Sequence, residues 1–489
     1  MLTNSTAPSR PQSQAQLRIP YPAEKLSERE HIPHFARVRL GSDFFKLIPA
    51  FTDALLVILS FEIGRQLSML ISGGYKSFPW QSAGIYTVML SLSLYLNEMY
   101  SFWKQRRTAE LMTALMRSTG LALVLVAPVL FFFPGLMERY YLILSLLAQF
   151  VLLLAWRTIL ERRLLAEFGR QRVLIVGAGS RARRIREALD TRGSVIFELV
   201  GCTADRIEEN ASNSCRRVGP SADVCDMVRR ERIDHVVVAQ DNPRNVFPAD
   251  ALLRLKRNGV AISEGEYMYE RLMGKLLTDF VRPSLLIFSA SPMHHTLQIW
   301  LKNVIDFSVA VILLILTLPL TIGAAILIKL TSKGPIFYSQ QRVGLGGVVF
   351  TIYKFRSMRT DAEKDGARWA SVNDDRITPI GRFMRKTRID ELPQLWNVLK
   401  GEMSMVGPRP ERPEFVRKLR QEIPFYDMRH MMRPGLSGWA QVRYQYGSSI
   451  EDAHEKLRYD LYYIKNYSVF LDLTILLETT KVVVFGAGR

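Results

Sequence analysis

The stretch Arg385–Glu411 reads RKTRIDELPQLWNVLKGEMSMVGPRPE and sets two adjacent acids, Asp390 and Glu391, directly before a helical pattern. Pro393 follows the pair, and apolar residues then recur at helical spacing. Because proline is tolerated only in the first turn of a helix, the spacing predicts that the acids lie at a helix N-terminus. The helix macrodipole favours negative charge at that position.

The adjacency of the two acids favours divided roles. Neighbouring side chains on a helix point about 100° apart, so the pair is poorly placed to share a proton. One carboxylate can instead attack an electrophile while the other holds a divalent metal, an arrangement that suits phosphoryl transfer. Arg385, Lys386 and Arg388 would neutralise phosphate charge. The alternative is a purely structural pair, an N-cap Asp followed by a first-turn Glu.

Three sequence blocks around the acid pair resemble one known family. They are YKFRSM at Tyr353–Met358, NDDRITPIGRFMRKT at Asn373–Thr387, and TRIDELPQLWNVLKGEMSMVGPRP. Together they resemble the bacterial sugar transferase family, whose members are monotopic polyprenyl-phosphate phosphoglycosyl transferases. The resemblance covers roughly Trp300 to Arg489. Arg388 stands where family members often carry Ser, which leaves the acid pair intact.

The resemblance implies a reaction. A hexose 1-phosphate would pass from a UDP-sugar to undecaprenyl phosphate with release of UMP, the initiating step of exopolysaccharide or O-antigen assembly. Asp390 would form a covalent phosphosugar intermediate and Glu391 would help to hold Mg²⁺. The expected setting is the bacterial inner membrane, with the catalytic domain on the cytoplasmic face, and we predict a homodimer. The hexose stays open, because epimer selection depends on side-chain placement.

A cluster of cations beside the carboxylates would suit a diphosphate substrate. A solvated basic face is the alternative explanation for the same residues. The candidate substrate-binding residues are Lys354, Arg356, Arg376, Arg385, Arg388 and Arg409.

The composition points to a membrane protein. Of the 489 residues, 48% are hydrophobic although 23% are charged, so the apolar residues must be clustered. The net charge of +19 suits an anionic membrane face or phosphorylated substrates. We expect no nucleic-acid partner, because no recognised nucleic-acid module is present. The three cysteines form no CxxC pair, which favours a reducing compartment and argues against a cysteine metal site.

The first third of the chain predicts a tail followed by a membrane bundle. Residues 1–45 are polar and predict a disordered cytosolic tail. Within 46–168, four apolar stretches predict transmembrane helices. Asp53, Glu62 and Arg65 in the first are expected to face the bundle interior. Basic residues flank both ends of the bundle, so both ends are predicted to be cytoplasmic. The stretches are Leu47–Ile71, Ala83–Met99, Thr119–Phe133 and Tyr140–Trp156.

The sequence pattern changes after the bundle, and residues 169–291 predict an α/β Rossmann-like domain. RVLIVGAGSRARRIREAL is a buried strand, a glycine turn at Gly177 and Gly179, and a helix. Dinucleotide binding would allow a nucleotide-sugar oxidoreductase, the alternative enzyme. Against it, Asp205 lies too far along the chain for the usual ribose contact, and no Tyr-x-x-x-Lys follows the turn. We favour a non-catalytic module; a non-enzymatic membrane scaffold is the third hypothesis. Arg282–Thr296 is predicted to be a linker.

Residues 292–489 predict an α+β catalytic domain with a re-entrant membrane helix at 302–330. The segment Asn303–Ile328 is nearly continuous apolar sequence that contains Pro319. A full crossing would separate Asp390 from the cytosolic UDP-sugar pool that the resemblance implies. We therefore predict that the helix enters the membrane and turns back at a Pro319 kink. The predicted fold is a membrane α-helical bundle, an α/β Rossmann-like domain and this monotopic domain.

Overall fold

The fold was obtained as a computed structural model. It describes residues 44–72, 80–97, 99–100, 108–132, 139–167, 170–193, 197–203, 216–241, 248–280, 296–362, 374–444, 447 and 449–484. Several predictions lie outside these ranges. They are the tail up to residue 43, Asp205, the linker at 282–295 and most of the basic residues around the membrane bundle.

Four helices form the N-terminal part of the described chain, at the positions that the apolar stretches predicted. By length and composition, Ala50–Ile71 and Tyr141–Ile159 qualify as membrane spans. The second helix has 17 residues, which is short for a span, whereas the third has 25 residues. The helices are α1 (Phe44–Ser72), α2 (Trp80–Leu96), α3 (Thr108–Phe132) and α4 (Arg139–Glu167).

The charged residues of α1 have partners. Asp53 is buried and forms an ion pair with Arg157 of α4, whose guanidinium also donates to the Met99 carbonyl at 2.9 Å. Arg65 Nε donates to Glu62 within α1 at 2.8 Å. The prediction that Asp53 faces the bundle interior is confirmed, because a buried charge of this kind requires a paired neighbour.

A five-stranded parallel sheet follows the bundle, with strand order β3-β2-β1-β4-β5. The central strand β1 ends in four buried residues, because helices cover both faces of the sheet. The predicted open α/β sheet is confirmed. Its elements are β1 (Gln171–Val176), α5 (Ser180–Ala188), β2 (Phe197–Thr203), β3 (Arg217–Gly219), α6 (Val224–Arg230), β4 (His235–Val238), α7 (Ala249–Arg257), β5 (Ala261–Glu264) and α8 (Gly265–Met273).

The glycine turn of this sheet is filled by a side chain of the protein itself. Asp241 accepts hydrogen bonds from the backbone N–H of Ser180 at 2.7 Å and of Arg181 at 2.9 Å. A Cβ at Gly179 would lie 2.1 Å from an Asp241 oxygen, so only glycine permits this approach. The helix N–H groups that would bind a nucleotide phosphate are thus satisfied internally.

The last part of the chain combines one long helix, a hairpin and a compact mixed region. The predicted hairpin around Gly344–Gly347 is confirmed by antiparallel pairing of its strands. The elements are α9 (Thr296–Thr331), β6 (Phe337–Val343), β7 (Val349–Phe355), α10 (Pro379–Lys386), a 3₁₀ helix (Ile389–Gln394), α11 (Leu395–Leu399), β8 (Ser404–Val406), α12 (Pro413–Glu422), a 3₁₀ helix (Tyr426–Met431), β9 (Gly435–Ser437), α13 (Trp439–Arg443), α14 (Ile450–Lys465) and α15 (Val469–Val484).

The segment after α8 joins the sheet domain to this last region. Leu276 is buried in the core of the catalytic region, and its N–H donates to the Arg458 carbonyl at 3.1 Å. The Arg458 guanidinium in turn binds Asp279 at 2.7 Å, and Trp439 Nε1 donates to the Gly274 carbonyl at 2.7 Å. The sheet domain therefore contributes an apolar side chain to the core of its neighbour.

Helix α9 continues through Pro319 without a break in its secondary structure. Near its start, Lys302 donates to the Val406 carbonyl at 3.0 Å, and at its end the Ser332 carbonyl accepts from Arg356 at 3.0 Å. The middle of the helix, around Ile315, is exposed. Both ends of α9 therefore contact the same domain, while several apolar side chains at its centre are exposed.

The hydroxyls near Pro319 do not replace the hydrogen bond that proline removes. Thr317 donates to the Leu313 carbonyl at 2.7 Å and Thr321 to the Leu318 carbonyl at 2.8 Å. The carbonyl that Pro319 leaves without its helical donor belongs to Ile315. Neither threonine donates to that carbonyl.

Lys302, near the start of α9, is buried. Its ammonium lies 2.8 Å from Asp472 of α15. We expect Lys302→Met to reduce the free energy of unfolding by about 3–5 kcal/mol, since it leaves a buried carboxylate unpaired. Thermal unfolding in detergent measures the loss. Lys302→Met combined with Asp472→Asn should lose less than the single variant; an equal or larger loss would contradict the ion-pair explanation.

Candidate active site

The acid pair lies at the start of a helical segment, as predicted, but the first turn is 3₁₀ and not α. Arg388 has φ 59°, and the Glu391 N–H bonds to its carbonyl at 3.1 Å, an i→i+3 bond that begins the 3₁₀ turn. The α-helical part starts only at Leu395. The tighter turn places both acids ahead of the regular helix.

Packing on either side holds the acid pair in position. Ile389 is buried against Ala324 and Ile328 of α9, and Leu395 lies in the main core of the domain. Asp390 and Glu391 are 6% and 7% exposed. Two ionisable groups are therefore fixed in a water-poor site, where neighbouring charges act strongly.

Three cations surround Glu391. Lys354 Nζ and Arg409 Nη2 both lie 2.9 Å from Glu391 Oε1, and Arg388 Nη1 lies 3.7 Å from Oε2. Burial alone would raise the pKa of Glu391, but Lys354, Arg409 and Arg388 outweigh it and hold that pKa well below its usual range. Glu391 is consequently ionised and anchors the three cations.

Asp390 has a different environment. Its Oδ1 atom is buried and accepts no hydrogen bond from any described residue. Burial and the negative charge of Glu391 raise the pKa of Asp390 to about 6, despite nearby Lys354, Arg385 and Arg388. The pKa values of the two neighbouring carboxyls are thus shifted in opposite directions, which is the pattern of residues with different chemical roles.

The remaining predicted cations lie farther from the carboxylates. Arg385 Nε donates to Ser357 Oγ at 3.0 Å, and the positive charge of Arg385 acts to lower the pKa of Asp390. The Arg356 guanidinium donates hydrogen bonds to the Ser332 and Lys333 carbonyls at the end of α9. Arg376 binds Asp374 at 2.7 Å and the Ala362 carbonyl at 3.1 Å. Arg356 and Arg376, both predicted to bind substrate, have these partners within the protein, and their binding of substrate stays a prediction.

Arg429 is a site residue that the sequence did not reveal. Its Nη2 atom donates to the Arg409 carbonyl and to Asp460 Oδ2, both at 2.9 Å. The contacts hold the backbone from which Arg409 reaches Glu391. No local pattern marks Arg429, because its partner Asp460 lies 31 residues along the chain, in α14.

The described side chains of the acid-pair site supply only part of a metal ligand set. The described residues contain no group of three His, Cys, Asp or Glu side chains that could hold a metal ion. Glu391 Oε2, whose Arg388 contact is 3.7 Å long, could contribute one ligand, and the neighbouring Asp390 Oδ1 is buried without a hydrogen-bond partner among the described residues. Mg²⁺ commonly uses one or two carboxylates and takes its other ligands from phosphates and water. The site therefore fits Mg²⁺ in the presence of a phosphorylated substrate.

Known proteins match the region that contains this site. The family described as Bacterial sugar transferase matches residues 297–486. An uncharacterised sugar transferase of Bacillus subtilis is 40% identical over 192 residues, which cover 38% of this chain and 89% of that protein. The chain belongs to the bacterial sugar transferase family. The matched region runs from the first turn of α9 into α15, so it holds every residue of the acid-pair site.

Two longer relatives carry names that state a reaction. A UDP-N-acetylgalactosamine-undecaprenyl-phosphate N-acetylgalactosaminephosphotransferase of Aeromonas hydrophila is 45% identical over 219 residues, which cover 45% of this chain and 51% of that protein. An undecaprenyl-phosphate glucose phosphotransferase of Komagataeibacter xylinus is 34% identical over 335 residues, 65% of this chain and 59% of that protein. This member of the family thus matches between half and three-fifths of each of these relatives.

A second family, described as CoA-binding domain, matches residues 95–241. The match includes α3, α4 and the sheet as far as Asp241. The sugar transferase match begins beyond the sheet, so the α/β domain lies outside the residues that this family model matches.

Proposed function

We propose that the chain transfers a hexose 1-phosphate from a UDP-sugar to undecaprenyl phosphate, which starts exopolysaccharide or O-antigen assembly. The observation that carries the proposal is the divided carboxylate pair, in which Asp390 has an oxygen without a hydrogen-bond partner among the described residues and Glu391 is locked among cations. The names of the two longer relatives support this reaction class. They differ in the sugar, N-acetylgalactosamine or glucose, so the hexose of this chain stays open.

In the first half-reaction, Asp390 Oδ1 attacks the phosphorus that bears the sugar. A carboxylate–phosphorus bond forms, the bond to the bridging oxygen breaks, and UMP leaves with the electron pair. Lys354, Arg409 and Arg388 are placed to bind the diphosphate and to stabilise the charge that develops on it. Bound Mg²⁺ would add charge neutralisation between the carboxylates and the phosphates.

In the second half-reaction, a phosphate oxygen of undecaprenyl phosphate attacks the same phosphorus. The bond to Asp390 breaks and the free carboxylate is regenerated. The product is undecaprenyl-diphosphate-sugar. An ionised phosphate can attack without help from a general base. The role of Glu391 in this mechanism is therefore to hold the cations in position.

The test is UMP release from membranes that contain the protein, supplied with undecaprenyl phosphate and each of a panel of UDP-hexoses. We expect one or a few donors to release UMP and to leave a phosphosugar adduct on Asp390. NADH-linked turnover of a UDP-sugar would instead support the oxidoreductase hypothesis, against which Asp241 already fills the glycine turn. No reaction with any donor would favour a scaffold. Mg²⁺ dependence and a homodimer stay predictions.

The rate of the first half-reaction should depend on the ionisation of Asp390. Its pKa is raised from 3.8 to about 6, so the nucleophilic form is present above that pH and is lost below it. We expect single-turnover UMP release to fall by about tenfold per pH unit below pH 6. UDP-sugar has no ionisation in this range, unlike the acceptor phosphate, so the donor half-reaction isolates the enzyme group. A flat profile between pH 4.5 and 7 would contradict the assignment.

We also propose that α9 is re-entrant and that the catalytic domain lies on the cytoplasmic face of the inner membrane. The proposal is supported by the contacts of both ends of α9 with one domain and by its exposed apolar centre. If α9 crossed the membrane completely, its two ends would lie on opposite sides of the bilayer. Pro319 supplies a place to bend.

Single cysteines at Leu297 and Lys329, in a background free of other thiols, test this topology. Both positions are exposed, whereas Lys302 is buried and unsuitable. An impermeant maleimide should label both positions only after cells are permeabilised. Labelling of position 329 on intact cells would overturn the re-entrant arrangement and with it the cytoplasmic site.

A further inference from the structure

A cavity of about 450 Å³ opens beside the C-terminal end of α9, apart from the cations that hold Glu391. It lies where α9 passes from its apolar surface to the hairpin. Its lining residues are Ser332, Lys333, Arg356, Met358, Arg359, Thr360, Asp361 and Thr378.

Two of the lining cations have free capacity for an anion. Arg356 is buried and is occupied by the Ser332 and Lys333 carbonyls. Lys333 is exposed and forms no ion pair with a residue in the described ranges, and Arg359 is exposed with Asp361 3.9 Å away. The cavity therefore carries net positive charge, which suits a phosphate.

The shape of the cavity depends on Gly334. Its φ is +122°, and a Cβ there would lie 2.0 Å from Arg356 Nη1. Glycine lets the chain turn sharply at the end of α9 while Arg356 caps the helix. The turn places Lys333 at the rim of the cavity.

A single arginine connects the cavity with Asp390. Ser357, whose neighbours Arg356 and Met358 line the cavity, accepts a hydrogen bond from Arg385 Nε at 3.0 Å. The charge of Arg385 acts on Asp390. Arg385 thus contacts the segment that lines the cavity, and the cavity cations are a separate set from the cations that bind Glu391.

An apolar surface adjoins the cavity. Leu327 and Leu330 on the last turns of α9 are 45% and 78% exposed, and Phe337 at the start of β6 is 54% exposed. These side chains precede and follow the lining residues Ser332 and Lys333 along the chain. A ligand with its phosphate in the cavity would therefore have lipid-facing surface for a hydrocarbon chain.

We propose that this cavity receives the phosphate of the polyprenyl acceptor, with Lys333 and Arg359 as its binding cations and the end of α9 along its prenyl chain. The inference rests on the proposed transferase function. It assigns the donor diphosphate to the Glu391 cations and the docking of the acceptor phosphate to this cavity. After UMP leaves, the acceptor phosphate attacks in line, opposite the bond to Asp390 and from the position that UMP vacated.

The test compares the two half-reactions in the double variant Lys333→Ala/Arg359→Ala. We expect UMP release and adduct formation without acceptor to stay within about twofold of the unmodified protein. The KM for undecaprenyl phosphate should rise by roughly 10- to 100-fold, because two charge-assisted contacts are lost. Arg417→Ala/Lys418→Ala, which removes two exposed cations of α12, is the matched control and should leave both quantities unchanged.

The possible outcomes separate the two hypotheses. If the unmodified protein releases no UMP, the transferase function fails. If it does and the double variant keeps its acceptor KM, or loses UMP release to the same extent, the cavity assignment fails. The same measurement in nanodiscs with and without phosphatidylglycerol is a further control. The rise in the KM for undecaprenyl phosphate should appear in both. A defect confined to discs with that anionic lipid would show binding of bulk headgroups and overturn the proposal. The single variant Lys333→Gln serves if the double variant unfolds.

Discussion

Asp390→Asn should lower turnover by roughly 10⁴-fold or more and abolish the phosphosugar adduct, because an amide cannot serve as the nucleophile. The side chain keeps its shape, so the packing of Ile389 against α9 should persist. Single-turnover UMP release and mass spectrometry of the intact protein measure both effects.

The fold of this variant can be checked independently. The raised pKa of Asp390 means that the ionised carboxylate costs stability in the folded state above about pH 6. Asp390→Asn removes that charge, so its thermal midpoint at pH 7.5 should equal or exceed that of the unmodified protein. Asp375→Asn changes an exposed carboxylate of the same domain and is the matched control. Full activity in Asp390→Asn, or an adduct on another residue, would refute the assignment.

Lys354→Met should lower kcat/KM by about 10²- to 10³-fold, the scale of losing one preorganised donor in a water-poor site. Lys354 is bound to Glu391 at 2.9 Å; burial lowers the pKa of Lys354, and the Glu391 carboxylate opposes that shift. Without Lys354, Arg409 is the remaining donor within 3 Å of Glu391 among the described residues. Initial rates of UMP release with varied UDP-sugar give the two kinetic constants.

A lysine elsewhere in the same domain provides the control for this second effect. Lys400 lies over the rings of Tyr353 and Trp396 and is exposed. Lys400→Met removes the same charge without touching Glu391 and should retain activity within about twofold. Equal losses in the two variants would indicate a general charge effect and would contradict a specific role for Lys354.

Local sequence patterns predicted the elements well where periodicity and turn residues dominate. The apolar stretches of the bundle, the parallel sheet and the hairpin around Gly344–Gly347 all appear where the patterns placed them. The acid pair also lies at the start of its helical segment. The 3₁₀ turn was missed, because it depends on the left-handed conformation of Arg388, which no residue preference predicts.

The membrane segments show both the strength and the limit of hydropathy. It identified α9 and the spans in α1 and α4. Hydropathy does not predict that Lys302 is buried beside Asp472. A lysine becomes a buried partner only when a carboxylate far along the chain is brought to it.

The sequence by itself determined which residues are chemically able to act: an adjacent acid pair before a helix, a surplus of cations and an apolar helix with a central proline. Tertiary structure alone decided which cations serve the acids. It placed Lys354, Arg388 and Arg409 on Glu391, gave Arg356 and Arg376 other partners within the protein, and filled the glycine turn with Asp241. The reason is that every arginine has the same charge in a sequence, but hydrogen bonds act over about 3 Å, a separation that only the folded chain sets.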